Sequence, residues 1–278
     1  MSQQKTKKRI EPFLKWAGGK SQLLKQFEPL FPKPDSYKRY IEPFVGGGAV
    51  FFYLQPREAI IADLNKDLIN AYKVLKNHTT EIIKTLAHYQ QNHSKDFFLK
   101  IRNEYNANEL DNINKAAHLI YLNKACFNGL YRVNKKGEFN VPFGQHKKFT
   151  VNEEGLSAAS RLLKHAKIEN SGFEDILEYA KKGDFVYFDP PYYPLTKGSD
   201  FTSYTKESFL EKEQEKLADI FEQLDHRGCL LMLSNSDTKF IRNLYKRWHI
   251  TQINAKRFIN CIAEKRGDVS EVVVRNYK

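Results

Sequence analysis

Phe185-Val186-Tyr187-Phe188-Asp189-Pro190-Pro191-Tyr192 reads as a strand that stops at a stiff turn. Four consecutive apolar β-formers suit a central strand buried on both faces. The two prolines cannot extend it, because they lack the N–H that a ladder needs. In an open α/β sheet, ligands bind beyond the carboxyl ends of the strands. A carboxylate and an aromatic ring on a rigid turn at that place have a definite chemical use. The carboxylate and a turn carbonyl accept both hydrogens of an exocyclic NH2 group, and the ring stacks on the heterocycle that carries it. An amine conjugated into its ring is a poor nucleophile. Accepting from both N–H groups favours pyramidal nitrogen and frees its lone pair for an in-line displacement, with positioning and electrostatics as the main sources of rate. A base inside a duplex reaches such a pocket only by leaving the stack, and Tyr192 is placed to hold it. The bland alternative is a Pro-rich loop with an Asp cap.

The rhythm around this stretch is that of parallel βαβ units. Residues 37–44 form a short strand that runs into Val45-Gly46-Gly47-Gly48, and residues 49–54 read as a helix. Residues 58–62 form a second strand ending at Asp63, and helical patterns fill 65–75 and 80–105. The pattern then changes. Residues 113–126 read as a helix, and 129–144 carry Tyr131, Val133, Phe139, Val141 and Phe143 at period two around Asn134-Lys135-Lys136-Gly137, which predicts a β-hairpin. From residue 167 the βα rhythm returns, with strands over 184–188, 229–234 and 271–274 and a helix over 207–224. The expectation is a catalytic domain formed by residues 1–64 and 151–278, interrupted by an insertion over 65–150.

Glycines in a strand-loop-helix setting let backbone approach a ligand closely and take positive φ. The dinucleotide fingerprint starting at Gly46 needs a glycine at 51, where Phe51 stands, so a pyrophosphate site is not supported. Asp63, after the next strand, is placed to accept ribose hydroxyls; its plain alternative is to cap the following helix. Gly18-Gly19-Lys20-Ser21 looks like the tail of a phosphate-binding loop, but Leu14 stands where that motif needs glycine and no strand precedes it. Lys15, Trp16 and Lys20 suit closure over a ligand bearing a carboxylate, against the alternative of an N-terminal turn with a core tryptophan.

The chain carries 45 Lys and Arg against 33 Asp and Glu, a net charge of +12 that favours polyanions through steering and counterion release. Between residues 121 and 150, six cationic side chains stand against Glu138 alone, which suits either a polyanion-binding face or a plain solvated hairpin face. Cys126, Cys229 and Cys261 are far apart and odd in number, which argues against a disulfide framework and a zinc site. No apolar run reaches the roughly 18 residues that cross a bilayer, and the N-terminus lacks a signal-peptide pattern, so a cytoplasmic protein with no membrane partner is expected.

Three blocks together resemble the Dam-type DNA adenine methyltransferases, the α-group of the D12 class. They are Phe13-Leu14-Lys15-Trp16-Ala17-Gly18-Gly19-Lys20, Glu42-Pro43-Phe44-Val45-Gly46-Gly47-Gly48 and Asp189-Pro190-Pro191-Tyr192. Asn128-Gly129-Leu130-Tyr131-Arg132-Val133-Asn134, residues 137–144 and Leu233-Ser234-Asn235-Ser236 match as well, in one block order over residues 11–277. The resemblance implies a Rossmann-like, S-adenosylmethionine-dependent methyltransferase domain with an inserted helical and β-hairpin target-recognition domain. It implies that Trp16, Lys20, Asp63 and Asp189 contact S-adenosylmethionine, with the backbone of Val45, Gly46 and Gly48 close to its amino-acid end. It assigns the flipped adenine to Asp189, Pro190 and Tyr192. For recognition of GATC it implies Lys15 and Arg132 on guanines, Leu130 and Pro142 on thymine methyls, and Phe127 and Asn128 as a wedge in the stack. The guanidinium fork of Arg132 suits guanine O6 and N7. Gln145-His146 replaces an aromatic DNA contact common in the family, and His146 is carried as a DNA-contact candidate; residues 258–268 match poorly.

The resemblance further implies no metal, a monomer acting on double-stranded DNA in a bacterial or phage cytoplasm, and either a solitary role or an independently acting cognate restriction endonuclease. Methylation of cytosine N4 or of RNA adenine, and a DNA-binding module without catalysis, remain as alternatives.

Overall fold

A computed structural model describes residues 8–144, 148–194, 209–256 and 268–278. In chain order the helices are α1 (Leu24–Phe27), α2 (Ala49–Leu54), α3 (Lys66–Asn77), α4 (Thr79–Asn92), α5 (Lys95–Ala107), α6 (Asn112–Ala125), α7 (Glu153–Leu163), α8 (Ile176–Tyr179), α9 (Glu211–Arg227) and α10 (Lys239–Leu244). The strands are β1 (Tyr40–Glu42), β2 (Ala59–Ala62), β3 (Ala166–Glu169), β4 (Phe185–Phe188), β5 (Leu230–Ser236), β6 (His249–Lys256) and β7 (Asp268–Arg275). The chain divides into two compact units, residues 1–19, 46–55 and 65–166, and residues 20–45, 56–64 and 167–278. The insertion expected over 65–150 lies within the first unit, which also takes in flanking segments.

The second unit is built on a seven-stranded sheet of order β3-β2-β1-β4-β5-β7-β6. β1 pairs in parallel with β2 on one side and β4 on the other, and β4 pairs in parallel with β5. β7 is antiparallel to both β5 and β6. This is a doubly wound, Rossmann-like sheet in which strand order reverses between β1 and β4, so the carboxyl ends of those strands flank its switch point. All four residues of β4 are buried, as its unbroken apolar run requires. On one face Ile41, Val186, Phe188, Leu231 and Leu233 pack with Leu217, Phe221 and Leu224 of α9 and with Ile241 and Tyr245. On β4, Tyr187 meets Phe27 of α1 edge-on and Phe185 meets Phe31 and Tyr37. The antiparallel edge β6–β7 is only half legible in the sequence, because β6 carries polar residues at several positions and β7 was expected over 271–274 alone.

The first unit is helical. Nine residues of α6 are buried, around its whole circumference, which marks it as the central helix. Helices α3, α4 and α5 pack on it, and α7 packs on α3 and α4. The helical pattern over 80–105 is two helices: the Ser94 side chain accepts from Phe97 N at 3.1 Å and starts α5 afresh. The expected hairpin over 129–144 is present as a short antiparallel turn: Asn134 N donates to Glu138 O at 2.9 Å and Asn140 N to Arg132 O at 3.1 Å around a bridge at Val133–Phe139, with a second bridge at Cys126–Phe143. A side chain of α5 holds the returning arm of this turn from outside. Asn106 Oδ1 accepts from Phe139 N at 2.8 Å, and its Nδ2 donates to Phe139 O at 3.1 Å. Among the described residues no helix is long and apolar enough to cross a membrane.

Candidate active site

In the sheet-bearing unit the Asp189-Pro190-Pro191-Tyr192 turn leaves β4 beside the switch point. The side chain of Asp189 is 18% exposed, forms an ion pair with Lys20 Nζ at 2.8 Å and accepts from Ser234 Oγ at 2.9 Å. Burial raises the Asp189 carboxyl above the ordinary range for aspartate, while Lys20 and the Ser234 hydroxyl pull it back down. Lys20, itself buried, also lies 4.6 Å from the centre of the Tyr192 ring. Tyr192 donates its hydroxyl to Glu271 of β7 at 2.8 Å. Burial, aided by the charges of Asp189 and Glu271, pushes the Tyr192 phenol well up and keeps it a neutral donor. The fully buried Ser234 also shares a hydrogen bond of 2.9 Å with the hydroxyl of Tyr187.

The rest of the turn is gripped from below by a buried polar relay. Gln214 of α9 donates to Pro191 O at 3.0 Å and accepts from Asn235 Nδ2 at 2.9 Å. Asn235 Oδ1 accepts from Tyr193 N at 3.2 Å, and Ser236 Oγ donates to Tyr193 O at 2.7 Å. Gln214, Asn235 and Ser236 are all buried. A satisfied polar network in a dry place fixes one backbone geometry. It therefore holds the carbonyl side of the Pro190–Tyr193 turn in a set direction.

Asp63 follows β2, its N–H at 3.4 Å from Glu169 O. Asn170 Nδ2 holds the carbonyls of Asp63 and Leu64 at 2.9 and 3.1 Å, and Leu64 is 61% exposed. The helix cap that competed for Asp63 is supplied by Asn65, whose side chain accepts from Leu68 N at 2.9 Å. A carboxylate beside a displayed apolar side chain at a strand end fits a nucleoside's ribose and ring. Val45 donates its N–H to Ala62 O at 2.9 Å.

In the helical unit the glycine loop has a packing role. Gly46 has φ +47°, and a Cβ there would stand 2.9 Å from Trp16 Cδ1. Gly48 has φ +71°, and its Cβ would stand 2.7 Å from the Tyr72 hydroxyl, which donates to Gly46 O at 3.0 Å. Trp16, half-buried, stacks on Tyr131 at 4.8 Å and 19°. Lys15, Phe127, Asn128, Arg132 and Pro142 are exposed and Leu130 is half-buried. Arg132 Nε donates to Asn140 Oδ1 at 2.8 Å. Asn128 sits at φ +57°, rare for a residue with a side chain. His146, Gln145, Cys261 and 258–267 lie outside the described residues. Among the described residues no group of three or more His, Cys, Asp or Glu could hold a metal ion.

The structure thus joins Lys20, Asp189 and Tyr192, and separately joins Trp16 with the glycine loop. Sequence reasoning missed Tyr187, Gln214 and Glu271. Only Ser234-Asn235-Ser236, a polar run ending an apolar strand, carried a local signal.

A model of the D12 class N6 adenine-specific DNA methyltransferases matches residues 16–259. A type II methyltransferase of Methanocaldococcus jannaschii is 46% identical, covering 96% of this chain and 99% of its own. A type II methyltransferase of Lactococcus lactis subsp. cremoris is 42% identical over 99% and 98% of the two chains. The DNA adenine methylase of Escherichia coli is 34% identical over 96% and 95%. With the Asp189 turn at the switch point and a match over most of its length, the chain belongs to the D12 class of N6 adenine-specific DNA methyltransferases.

Proposed function

We propose that this adenine methyltransferase acts within GATC in double-stranded DNA, and that Asp189, Pro190 and Tyr192 receive the flipped adenine. The observation that carries the catalytic assignment is the Asp189 carboxylate, half-buried at the end of a central strand and held by Lys20 and Ser234. Asp189 Oδ and the Pro190 carbonyl serve as acceptors for the two N6 hydrogens, and the Tyr192 ring supports the base. The hydroxyl of Tyr192 is committed to Glu271, so its ring plane is set before the base arrives. S-adenosylmethionine, when bound, supplies an electrophilic methyl group on a sulfonium.

Cofactor binding is assigned to Lys20, Asp63 and Asp189 with the backbone of Val45 in the sheet-bearing unit, and to Trp16, Gly46 and Gly48 in the helical unit. Target reading is assigned to Lys15, Leu130, Arg132 and Pro142, with Phe127 and Asn128 as the wedge. Exposure of Phe127 (52%) on a positive-φ turn supports the last of these. Digestion of plasmid from expressing cells that lack their own adenine methylation tests the target. Two GATC-specific nucleases are compared, one blocked by N6-methyladenine and one requiring it. Resistance to the first with cleavage by the second is the expected result; the reverse pattern would overturn the GATC assignment. The names of two relatives, type II methyltransferases, support a cognate restriction endonuclease; independent action of that nuclease or a solitary role, and a monomer in the cytoplasm, belong to the same proposal.

A further inference from the structure

Asn123 is fully buried near the end of α6, and its amide is bonded in three directions. Its Oδ1 accepts from Lys15 N at 2.8 Å, and its Nδ2 donates to Lys15 O at 2.9 Å and to Gly129 O at 3.0 Å. The side chain thus acts like the edge of a strand toward residue 15 and fastens it to a turn 114 positions away in the sequence. That turn is tied down on every side. Cys126 Sγ donates to Leu130 O at 3.1 Å, Gly129 N to Cys126 O at 3.3 Å, and Phe127 N to Pro142 O at 2.9 Å. Gly129 takes φ +66°, and a Cβ there would stand 2.5 Å from Lys15 Cδ, so the lysine stem lies directly across the glycine. Immediately after Lys15, Trp16 stacks on Tyr131, the neighbour of Leu130 and Arg132.

We infer that Asn123 is a specificity-determining positioning residue, which sets Lys15 in register with the Phe127–Leu130 turn so that the two read one DNA site as a single rigid template. The inference rests on the reading of Lys15 and Leu130 as base-reading residues. Asn123 touches no base; it acts through Lys15 and the backbone at Gly129. A neutral amide is required, since two of its three bonds are donated to carbonyl oxygens and the third is accepted from an N–H. Asn123→Asp keeps the shape and the acceptor, and sets a carboxylate oxygen against two carbonyls.

The test measures kcat/KM of the full chain on duplexes carrying GATC and on duplexes altered at one base pair, for wild type, Lys15→Ala, Asn123→Asp and the double variant. Asn123→Asp is expected to lower discrimination about tenfold, the scale of one good base contact. The loss should come from faster transfer at altered sites relative to GATC, and Lys15→Ala should add little in its background, as expected for residues acting through one contact. An equal drop on every duplex, unchanged discrimination, or multiplying effects of the two substitutions would overturn the inference. Lys15→Ala without effect on discrimination would bring down the reading of Lys15 itself. An effect of Lys15→Ala with none from Asn123→Asp would bring down the inference alone. If Asn123→Asp does not fold, hydrogen exchange at the Lys15 amide of the wild type decides: strong protection supports the clamp, and exchange at the free-chain rate refutes it.

Discussion

Removing the Ser234 hydroxyl is the sharpest perturbation of the acceptor turn, because one buried oxygen serves two partners there. Ser234 bonds Asp189 and Tyr187, each at 2.9 Å. Ser234→Ala leaves the Tyr187 hydroxyl, which is fully buried, without that partner. It also takes a charge-assisted hydrogen bond from Asp189. An unsatisfied buried hydroxyl costs about 1–3 kcal/mol, and a hydrogen bond to a charged group contributes about 1.5–3 kcal/mol. A loss of about 3 kcal/mol lowers Tm by roughly 6–12 °C for a chain of this size.

Catalysis should shift as well. The carboxyl of Asp189 is raised by burial, and Ser234 is one of the groups that lowers it. Without the hydroxyl it rises further. Acceptance of the amine hydrogens needs the ionised form, so activity is lost as pH falls through this group, and the acid limb of the kcat profile moves to higher pH. Stability carries the matching sign. A carboxyl raised on folding binds its proton more tightly in the folded state, so the stability deficit of Ser234→Ala widens as pH rises through Asp189. Thermal melting and a pH–rate profile on one GATC duplex measure both effects. Tyr187→Phe with Ser234→Ala should recover about 1–2 kcal/mol, since both ends of one bond are then apolar, while the acid limb stays displaced. A Ser234→Ala protein that melts with the wild type and keeps its acid limb would refute the reasoning.

Asp189→Ala should abolish methyl transfer while DNA affinity in a gel-shift titration stays within about threefold, since the base-reading residues are untouched; near-normal turnover would remove Asp189 from its role. Arg132→Ala should cost about 1–3 kcal/mol at one guanine and relax discrimination there, measured by transfer to duplexes altered at each position; uniform weakening on all sequences would identify a phosphate contact instead. Gln214→Leu removes the donor to Pro191 O and the acceptor for Asn235 Nδ2. It should lower kcat roughly tenfold, about 1.4 kcal/mol, with little change in DNA affinity, and an unchanged kcat would show that the turn holds its direction without the relay.

The βα core was legible because its strands are short apolar runs punctuated by Gly46–Gly48, Asp63 and Asp189-Pro190-Pro191, and each mark falls at the end of a strand in the structure. The residues that hold the site were less visible. Glu271 reaches Tyr192 across 79 positions and Gln214 reaches Pro191 across 23, so neither pairing leaves a local pattern. The period-two run of residues 129–144 was legible at its tip, where Asn134 N donates to Glu138 O and Asn140 N to Arg132 O. Alternating aromatics do pack inward, with Phe139 and Val141 buried. Asn106 and Asn123 hold further backbone groups of this stretch from helices, which no local pattern shows. The glycine loop was read for its openness to a ligand, whereas Gly46 and Gly48 are also demanded by Trp16 and Tyr72.

Transfer of labelled methyl from S-adenosylmethionine to a duplex with a single GATC, followed by digestion to nucleosides, tests the central claim most directly. The account predicts label in N6-methyl-2′-deoxyadenosine alone, dependent on an intact Asp189 and lost when the adenine of GATC is replaced. Label in another nucleoside, or transfer that survives Asp189→Ala, would contradict it.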